Sequence, residues 1–470
     1  MAITRRLLKT SAALVCLAAF GQQADQIHAV ENGLRPPYVI EGTPETTWKL
    51  ADRMKVHHVP AVGVAVIQNG RIVWAKGYGD AKVDTLFQAA SISKPVTALA
   101  ALSMVRKGQL NLDEDVNVKL KSWKVPENEF TAKEKVTLRR LLSHSAGMTV
   151  HGFAGYAAGA PVPSLLQVLN GEKPANSDPI RVDVLPGSLW RYSGGGFTVV
   201  QQLMIDVTGR PFPEILHDAV LGPVEMTHST YRQPLPKSLW DKAAQAYRAD
   251  GKPVEGGWHT YPEMAAAGLW TTPSDLARFA IELRKEARGE SDRVLTTELA
   301  KSMLTVQKGD YGLGIGLSGE GKSRHFGHGG ANEGYRCDFQ MYLESGDGAA
   351  IMTDSDSGSS LTSEIFRSIA AAYGWPDFKP RTMKTIKLDP AALRQYAGEY
   401  SLDGMQIGVA LEDGKLWITP PGSSRAELLP QTSTQFFIGD MNLPQVTFEK
   451  DEKGEVTGLR AFGQTAKRVR

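Results

Sequence analysis

A serine hydroxyl becomes a useful nucleophile when a base stands within hydrogen-bond reach of it, and Ser91-Ile92-Ser93-Lys94 offers that pairing in one helical turn. Spacing i to i+3 sets the hydroxyl and the ammonium on one face. A serine at a helix start also lies beside unpaired N–H groups and the positive end of the macrodipole, both of which favour a developing oxyanion. The chain holds 29 serines, so about two Ser-x-x-Lys tetrapeptides are expected by chance. The tetrapeptide gains weight from its context. It occurs once, and it puts a lysine into an otherwise apolar helical stretch.

Two further pieces could join it. Tyr192-Ser193-Gly194-Gly195-Gly196 follows Pro186-Gly187 and places a phenol on a tight loop where backbone can approach a ligand. Taken alone, an aromatic plug beside a flexible turn explains it better. His328-Gly329-Gly330 has the same ambiguity. His325 and His328 do not make a metal pair, because residues i and i+3 of a strand point to opposite faces and no cysteine or acidic partner stands at ligand spacing. Neither a metal nor a cofactor is expected.

The elements that must position these residues are legible in outline. Residues 61–67 read as a buried strand, turned at Gln68-Asn69-Gly70 into a hairpin partner over 71–77. Residues 91–107 are apolar almost all round and stop at Gly108, as a helix buried on every side would. Helical spacing recurs over 137–142, 197–208, 213–220 and 274–288 among Gly/Pro-rich loops. Strand patterns return over 336–343 and 349–353, followed by a helix over 361–373. One sheet built from both ends of this region, enclosing a helical middle, is the expectation. A Pro/Lys-rich linker follows, and residues 391–470 alternate as an all-β segment with Asp413-Gly414 and Lys453-Gly454 turns.

In this order, Ser91-x-x-Lys94, Tyr192-Ser193-Gly194 and His328-Gly329-Gly330 resemble the serine β-lactamase-related family of class C β-lactamases, DD-peptidases, D-aminopeptidases and esterases. Flanking residues match as well: Phe87-Gln-Ala-Ala-Ser91, Leu141-Leu-Ser-His-Ser-Ala-Gly147, Ala267-Gly-Leu-Trp-Thr-Thr-Pro-Ser-Asp275 and Gly327-His-Gly-Gly330. The resemblance covers roughly residues 45–375. The tail, with Tyr396-Ala-Gly-Glu-Tyr400, resembles the small β-barrel appended to some members. It implies an α+β fold: an antiparallel sheet flanked by helices, with a helical subdomain, plus a small C-terminal antiparallel β-barrel. Implied boundaries are residues 30–376 for the hydrolase domain, 377–390 for the linker and 391–470 for the barrel.

The resemblance also implies roles. Ser91 would accept the acyl group, Lys94 and Tyr192 would move its proton, and the N–H groups of Ser91 and Ala331 would form the oxyanion hole. Whether lysine or tyrosine is the base stays open. His328 would join the catalytic set, and Gly194, Gly329 and Gly330 would contact substrate. Two positions depart from the β-lactamase pattern: Gly194 stands where an asparagine often meets the substrate amide, and His328 where many relatives carry lysine. Neutral histidine binds a substrate carboxylate less well than lysine does, which leans away from β-lactams toward esters, amides or D-amino-acid peptides. His144 and Ser145 are expected to support a loop. Trp258, Tyr261 and Trp270 are divided between an acyl pocket and core packing.

Composition bounds the rest. With 470 residues, 42% apolar and 22% charged, the chain is too long for one ordinary core and too apolar for disorder. A net charge of +2 leaves no footprint for nucleic acid. Residues 1–29 read as an export signal: Arg5, Arg6 and Lys9, then an apolar stretch from Ser11 to Phe20 too short to span a bilayer, then a cleavage site at Ile27-His28-Ala29. Without that segment the chain carries fifty positive and fifty negative side chains. Cys337 is then alone and no internal disulfide can form. An exported acyl-hydrolase, periplasmic or secreted and without stable membrane insertion, is the leading expectation, with a small-molecule or peptide substrate. Within the family, a β-lactamase or DD-carboxypeptidase is the alternative. A non-catalytic penicillin- or peptidoglycan-binding protein is the alternative from another class, disfavoured because a pure binder has no need of a lysine in a buried helix.

Overall fold

The computed structural model describes residues 23–402, 405–419, 425–438, 445–461 and 464–469. They pack as two units, one running to Leu34 and resuming over Trp48–Phe378, the other made of Arg35–Thr47 and the chain from Lys379. Most of the expected export signal lies outside the described residues. The part inside it belongs to a helix over 23–32, in which Val30 is buried and its carbonyl accepts from Ser368 Oγ at 2.8 Å.

The first unit is organised by a six-stranded antiparallel sheet. Its strands are β1 (Ala61–Gln68), β2 (Arg71–Gly79), β3 (Gly316–Ser318), β4 (His325–Asn332), β5 (Tyr335–Tyr342) and β6 (Gly348–Thr353), in the order β2-β1-β6-β5-β4-β3. β1 explains the continuous apolar run. Ala61, Ala65 and Ile67 enter one core cluster, while Val62, Val64 and Val66 enter another on the opposite face. The first cluster also holds α1 (Ser93–Arg106), α2 (Gly194–Thr208) and α3 (Pro273–Ala287), and the second holds α4 (Gly358–Tyr373). Every α1 residue from Ser93 to Met104 is buried, so its sequence has no polar stripe. Polar caps fix the starts of α2 and α3: Ser193 accepts from Gly196 N–H at 2.9 Å, and Thr272 caps α3 just before Pro273.

The second unit contains a closed barrel of eight strands, from Gly398–Leu402 to Gln464–Arg468, each paired antiparallel with its neighbours. Along Met405–Glu412 the buried side chains alternate: Ile407 and Val409 enter the barrel core, with Gln406 and Ala410 exposed on either side. The division of the chain differs from the expected one at residues 35–47. Tyr38–Ile40 pairs in parallel with Arg381–Met383, inside the expected linker, and this pairing joins 35–47 to the C-terminal unit. The excursion starts and ends at one place, because Leu34 and Trp48 exchange both backbone hydrogen bonds, at 3.0 and 2.8 Å. No helix among the described residues is long and apolar enough to cross a membrane.

Candidate active site

Ser91 sits in a single 3-10 turn, Ala90–Ile92, that runs straight into α1. The turn is entered through strain: Ala90 has φ +50°, the left-handed region that a residue with a Cβ avoids. Lys94, one turn on, is 2% exposed, and its Nζ lies 2.9 Å from Ser91 Oγ and 2.8 Å from the Ala266 carbonyl. No carboxylate pairs with this amine among the described residues. Burial alone drives its pKa from 10.5 down to about 7, because a low-dielectric site penalises the charged form. The Lys94 amine also lies 4.9 Å from the centre of the Tyr192 ring. Burial raises the Tyr192 phenol to about 12, against a smaller opposing pull from its hydrogen bond with Ser91. The three side chains thus form one cluster, with a half-neutral amine and a firmly protonated phenol around one hydroxyl.

β4 forms the facing wall. It closes on β5 through a two-residue turn, with Asn332 opposite Tyr335 and Ala331 opposite Arg336. In such a hairpin the closing pair exchanges backbone bonds, so the next pair does not, and the Ala331 N–H points away from β5. β3 pairs with β4 only as far as Gly327, which leaves this edge open. Glycine is required at 330: a Cβ there would lie 2.2 Å from the Ala89 carbonyl oxygen and 2.8 Å from Cys337 Sγ. Its absence lets the strand edge close on the turn that carries Ser91.

His328, half-buried on the same strand, has Nδ1 2.5 Å from the Gly329 carbonyl and Nε2 2.9 Å from the Tyr311 hydroxyl. Since a carbonyl only accepts, the proton is on Nδ1, and Tyr311 donates to Nε2. Burial, helped by the Lys94 charge, lowers His328 to about 4. The imidazole is neutral at pH 7, so His328 supplies no fixed cation; the guanidinium that lines the cleft is that of Arg336 on β5.

A cleft of about 660 Å³ brings Ser91, Lys94, Tyr192, His328, Gly329, Gly330 and Ala331 together. Gly194 is not among the residues that line it. It is the first residue of α2, and a Cβ there would lie 3.0 Å from the Phe153 ring and 3.1 Å from the His151 carbonyl oxygen, so Phe153 and His151 wall the cleft in its place. Tyr261 and Trp270 are fully buried, Trp258 packs against them in the core, and none of the three lines the cleft. His144 is 2% exposed; its Nδ1 accepts from Ser193 N–H at 3.1 Å and its ring lies 4.3 Å from that of Tyr192, so it holds the Tyr192 loop. Ser145 pairs with Ser143 through their hydroxyls at 2.9 Å. The sequence reading missed Phe153, His151, Trp190 and Tyr311. Tyr311 and Trp190 line a second hollow of about 550 Å³ that shares His328 and Tyr192 with the first. The one available signal was the glycine-rich run Gly309 to Gly316 around Tyr311. No cluster of three metal-ligating side chains occurs among the described residues.

Comparison with known proteins gives the family of the chain. The β-lactamase family model matches residues 49–373, and a domain family of unknown function, DUF3471, matches residues 382–468. The chain therefore belongs to the β-lactamase family. Solved structures of similar fold include a D-stereospecific amidohydrolase from Streptomyces, with a TM-score of 0.55 at 23% identity over 67% of this chain and 95% of that one. The chain is 28% identical to Protein flp of Staphylococcus aureus over 46% of its length, and that match spans only 42% of the relative's length. Penicillin-binding protein 4* of Bacillus subtilis is 24% identical over 80% of this chain and 87% of its own. Among solved structures, the octameric penicillin-binding protein homologue from Pyrococcus abyssi superposes with a TM-score of 0.60 at 20% identity, covering 89% of this chain and 98% of that one.

Proposed function

We propose that this protein is an exported acyl-hydrolase, periplasmic or secreted, that cleaves esters, amides or D-amino-acid peptides through an acyl-enzyme on Ser91. The observation that carries this reading is the 2.9 Å approach of the buried Lys94 amine to Ser91 Oγ. A buried, unpaired lysine costs stability, and a base poised near neutral pH is what such a position supplies. In the proposed reaction Ser91 Oγ attacks the substrate carbonyl carbon while neutral Lys94 takes the hydroxyl proton. The oxyanion forms against the N–H groups of Ser91 and Ala331. Tyr192, protonated at neutral pH, donates to the leaving oxygen or nitrogen as the C–O or C–N bond breaks, and is reprotonated from Lys94. Water then attacks the ester on Ser91, with the same groups returning the proton to Ser91.

A fluorophosphonate probe tests the nucleophile: it is expected to label the protein once, and Ser91→Ala to abolish the label. Labelling that survives the substitution overturns the assignment. The base assignment predicts that kcat/KM for a neutral ester rises with pH through about 7, as Lys94 loses its proton, and then levels off. A rising limb near 10 instead would return the role to an ordinary lysine or to the phenol. A β-lactam or a D-alanyl peptide is the second reading. It is favoured by the relatives named penicillin-binding proteins and opposed by the neutral His328, which offers a substrate carboxylate no fixed positive charge.

A further inference from the structure

The hollow of about 550 Å³ shares Trp190, Tyr192, His328 and Gly329 with the catalytic cleft, but Ser91, Lys94 and Ala331 line the cleft alone. Its place along β4 is therefore set. It meets the strand at Gly327 to Gly329, two to four residues before the Ala331 N–H, roughly 7 to 13 Å away at about 3.3 Å per residue. Tyr192 stands at that end too, its ring centre 6.2 Å from that of His328. The walls are rings and bare backbone. Trp190 is 43% exposed, and its indole lies 6.0 Å from the Tyr311 ring and 6.3 Å from the Tyr192 ring, centre to centre. Four of the eleven lining residues are glycines. One of them, Gly309, lies against the indole: a Cβ there would stand 3.6 Å from Trp190 Cγ, so a side chain would take up space beside the ring. Free donors are few. The Tyr311 hydroxyl is taken by His328 Nε2, the His328 Nδ1 proton by the Gly329 carbonyl, and the Gln340 amide by Asp338 at 2.8 Å. Ser318, at the end of β3, and the exposed Asp310 complete the polar lining.

We propose that this hollow receives the leaving group of the substrate, and that the leaving group it fits carries an uncharged aromatic ring, packed on Trp190. The proposal rests on the acyl-hydrolase reading above. There Tyr192 gives its proton to the leaving atom, so that atom lies at the phenol, and what it carries continues past Tyr192 away from Ser91 and Ala331. The hollow is the space at Tyr192 that Ser91 does not share. An aromatic group gains over a saturated one of similar size where it meets the face or edge of another ring, and pocket donors that are already paired give a polar group nothing to bind. The Asp310 carboxylate is the opposing influence: it offers a polar group a partner, and it repels an anionic one.

The test uses the full chain and acetate esters of primary alcohols of similar acidity: benzyl and naphthylmethyl acetate against cyclohexylmethyl acetate. A reversed series, methyl phenylacetate and methyl naphthylacetate against methyl cyclohexylacetate, puts the same groups on the acyl side. The naphthylmethyl ester is expected to exceed the cyclohexylmethyl ester in kcat/KM by about fivefold, with no such preference in the reversed series. Trp190→Leu keeps an apolar side chain and removes the ring; it is expected to erase the aryl preference, and Trp190→Phe to keep most of it. The wild-type comparison stands even if a variant fails to fold. Equal rates for the aryl and cyclohexyl alcohol esters, an aryl preference confined to the acyl side, or a preference unchanged in folded Trp190→Leu overturns the subsite, while Ser91 labelling leaves the hydrolase intact. Absence of turnover on all esters together with absence of Ser91 labelling overturns both.

Discussion

Every buried polar or charged side chain among the described residues lies between Thr85 and Ser368, in the first unit, while the barrel interior is built from apolar residues and the rings of Tyr396 and Tyr400. The barrel fills its core with groups that lose nothing on leaving water, and even its Tyr400 hydroxyl finds the Tyr396 carbonyl at 2.7 Å. The first unit does the opposite around Ser91. Among the described residues, Lys94 is buried without a counter-charge and His144 Nε2 is buried without a hydrogen-bond partner. Such groups weaken a fold, so a fold that keeps them is spending stability on something else. The contrast teaches where to look for chemistry: at the polar groups the packing alone would reject.

If that contrast is right, replacing Lys94 separates activity from stability. Lys94→Met keeps the length and removes the charge. Ester turnover is expected to fall by about 10³-fold, as for loss of a positioned base. Stability is expected to hold or to rise by up to about 2 kcal/mol, read as the denaturation midpoint. A variant that loses both together would make Lys94 a structural residue and dissolve the comparison.

A smaller effect sharpens it. Tyr192→Phe removes only the phenolic oxygen from a ring held against His144 at 4.3 Å, so the packing remains. Turnover is expected to drop about 10²-fold, with the melting temperature little changed. Near-normal rates in the folded variant would assign Tyr192 to packing and leave proton return to another donor.

How far these groups were legible in the sequence follows the range of the interactions. Ser91 and Lys94 are three residues apart, so one helical turn states their relation. Tyr192 and His328 were found through ordered motifs, not through spacing. Tyr311 and Phe153 escaped because loop closure brings them to the site, and no periodicity encodes that. Gly194 was assigned a substrate contact by position in a motif, yet Phe153 stands over it; a glycine discloses only that space is limited, not what fills it. β5 could have been read further. Cys337, Phe339 and Met341 alternate with Arg336, Asp338 and Gln340, and that period of two already separates a core face from an open one. The Tyr38–Ile40 excursion was hidden for the opposite reason. Three residues in parallel pairing carry no pattern that distinguishes them from loop.

That excursion sets the last and smallest expected effect, a test of whether the two units divide labour as their cores suggest. Ending the chain at Phe378 alone would leave residues 35–47 without Arg381–Met383, exposing the edge of Tyr38–Ile40. Leu34 and Trp48 already exchange two backbone bonds, so a few glycines can replace 35–47 without disturbing either end. A chain lacking both 35–47 and the residues after Phe378 retains both core clusters of the first unit and every residue that lines the cleft. It is expected to stay folded, to label with fluorophosphonate, and to hydrolyse a small neutral ester within about twofold of the full chain. A loss confined to larger substrates would assign the barrel a part in substrate choice. A folded, monomeric product that no longer labels would mean that the second unit maintains the Ser91 cluster, and the contrast between an apolar scaffold and a polar catalytic unit would fail.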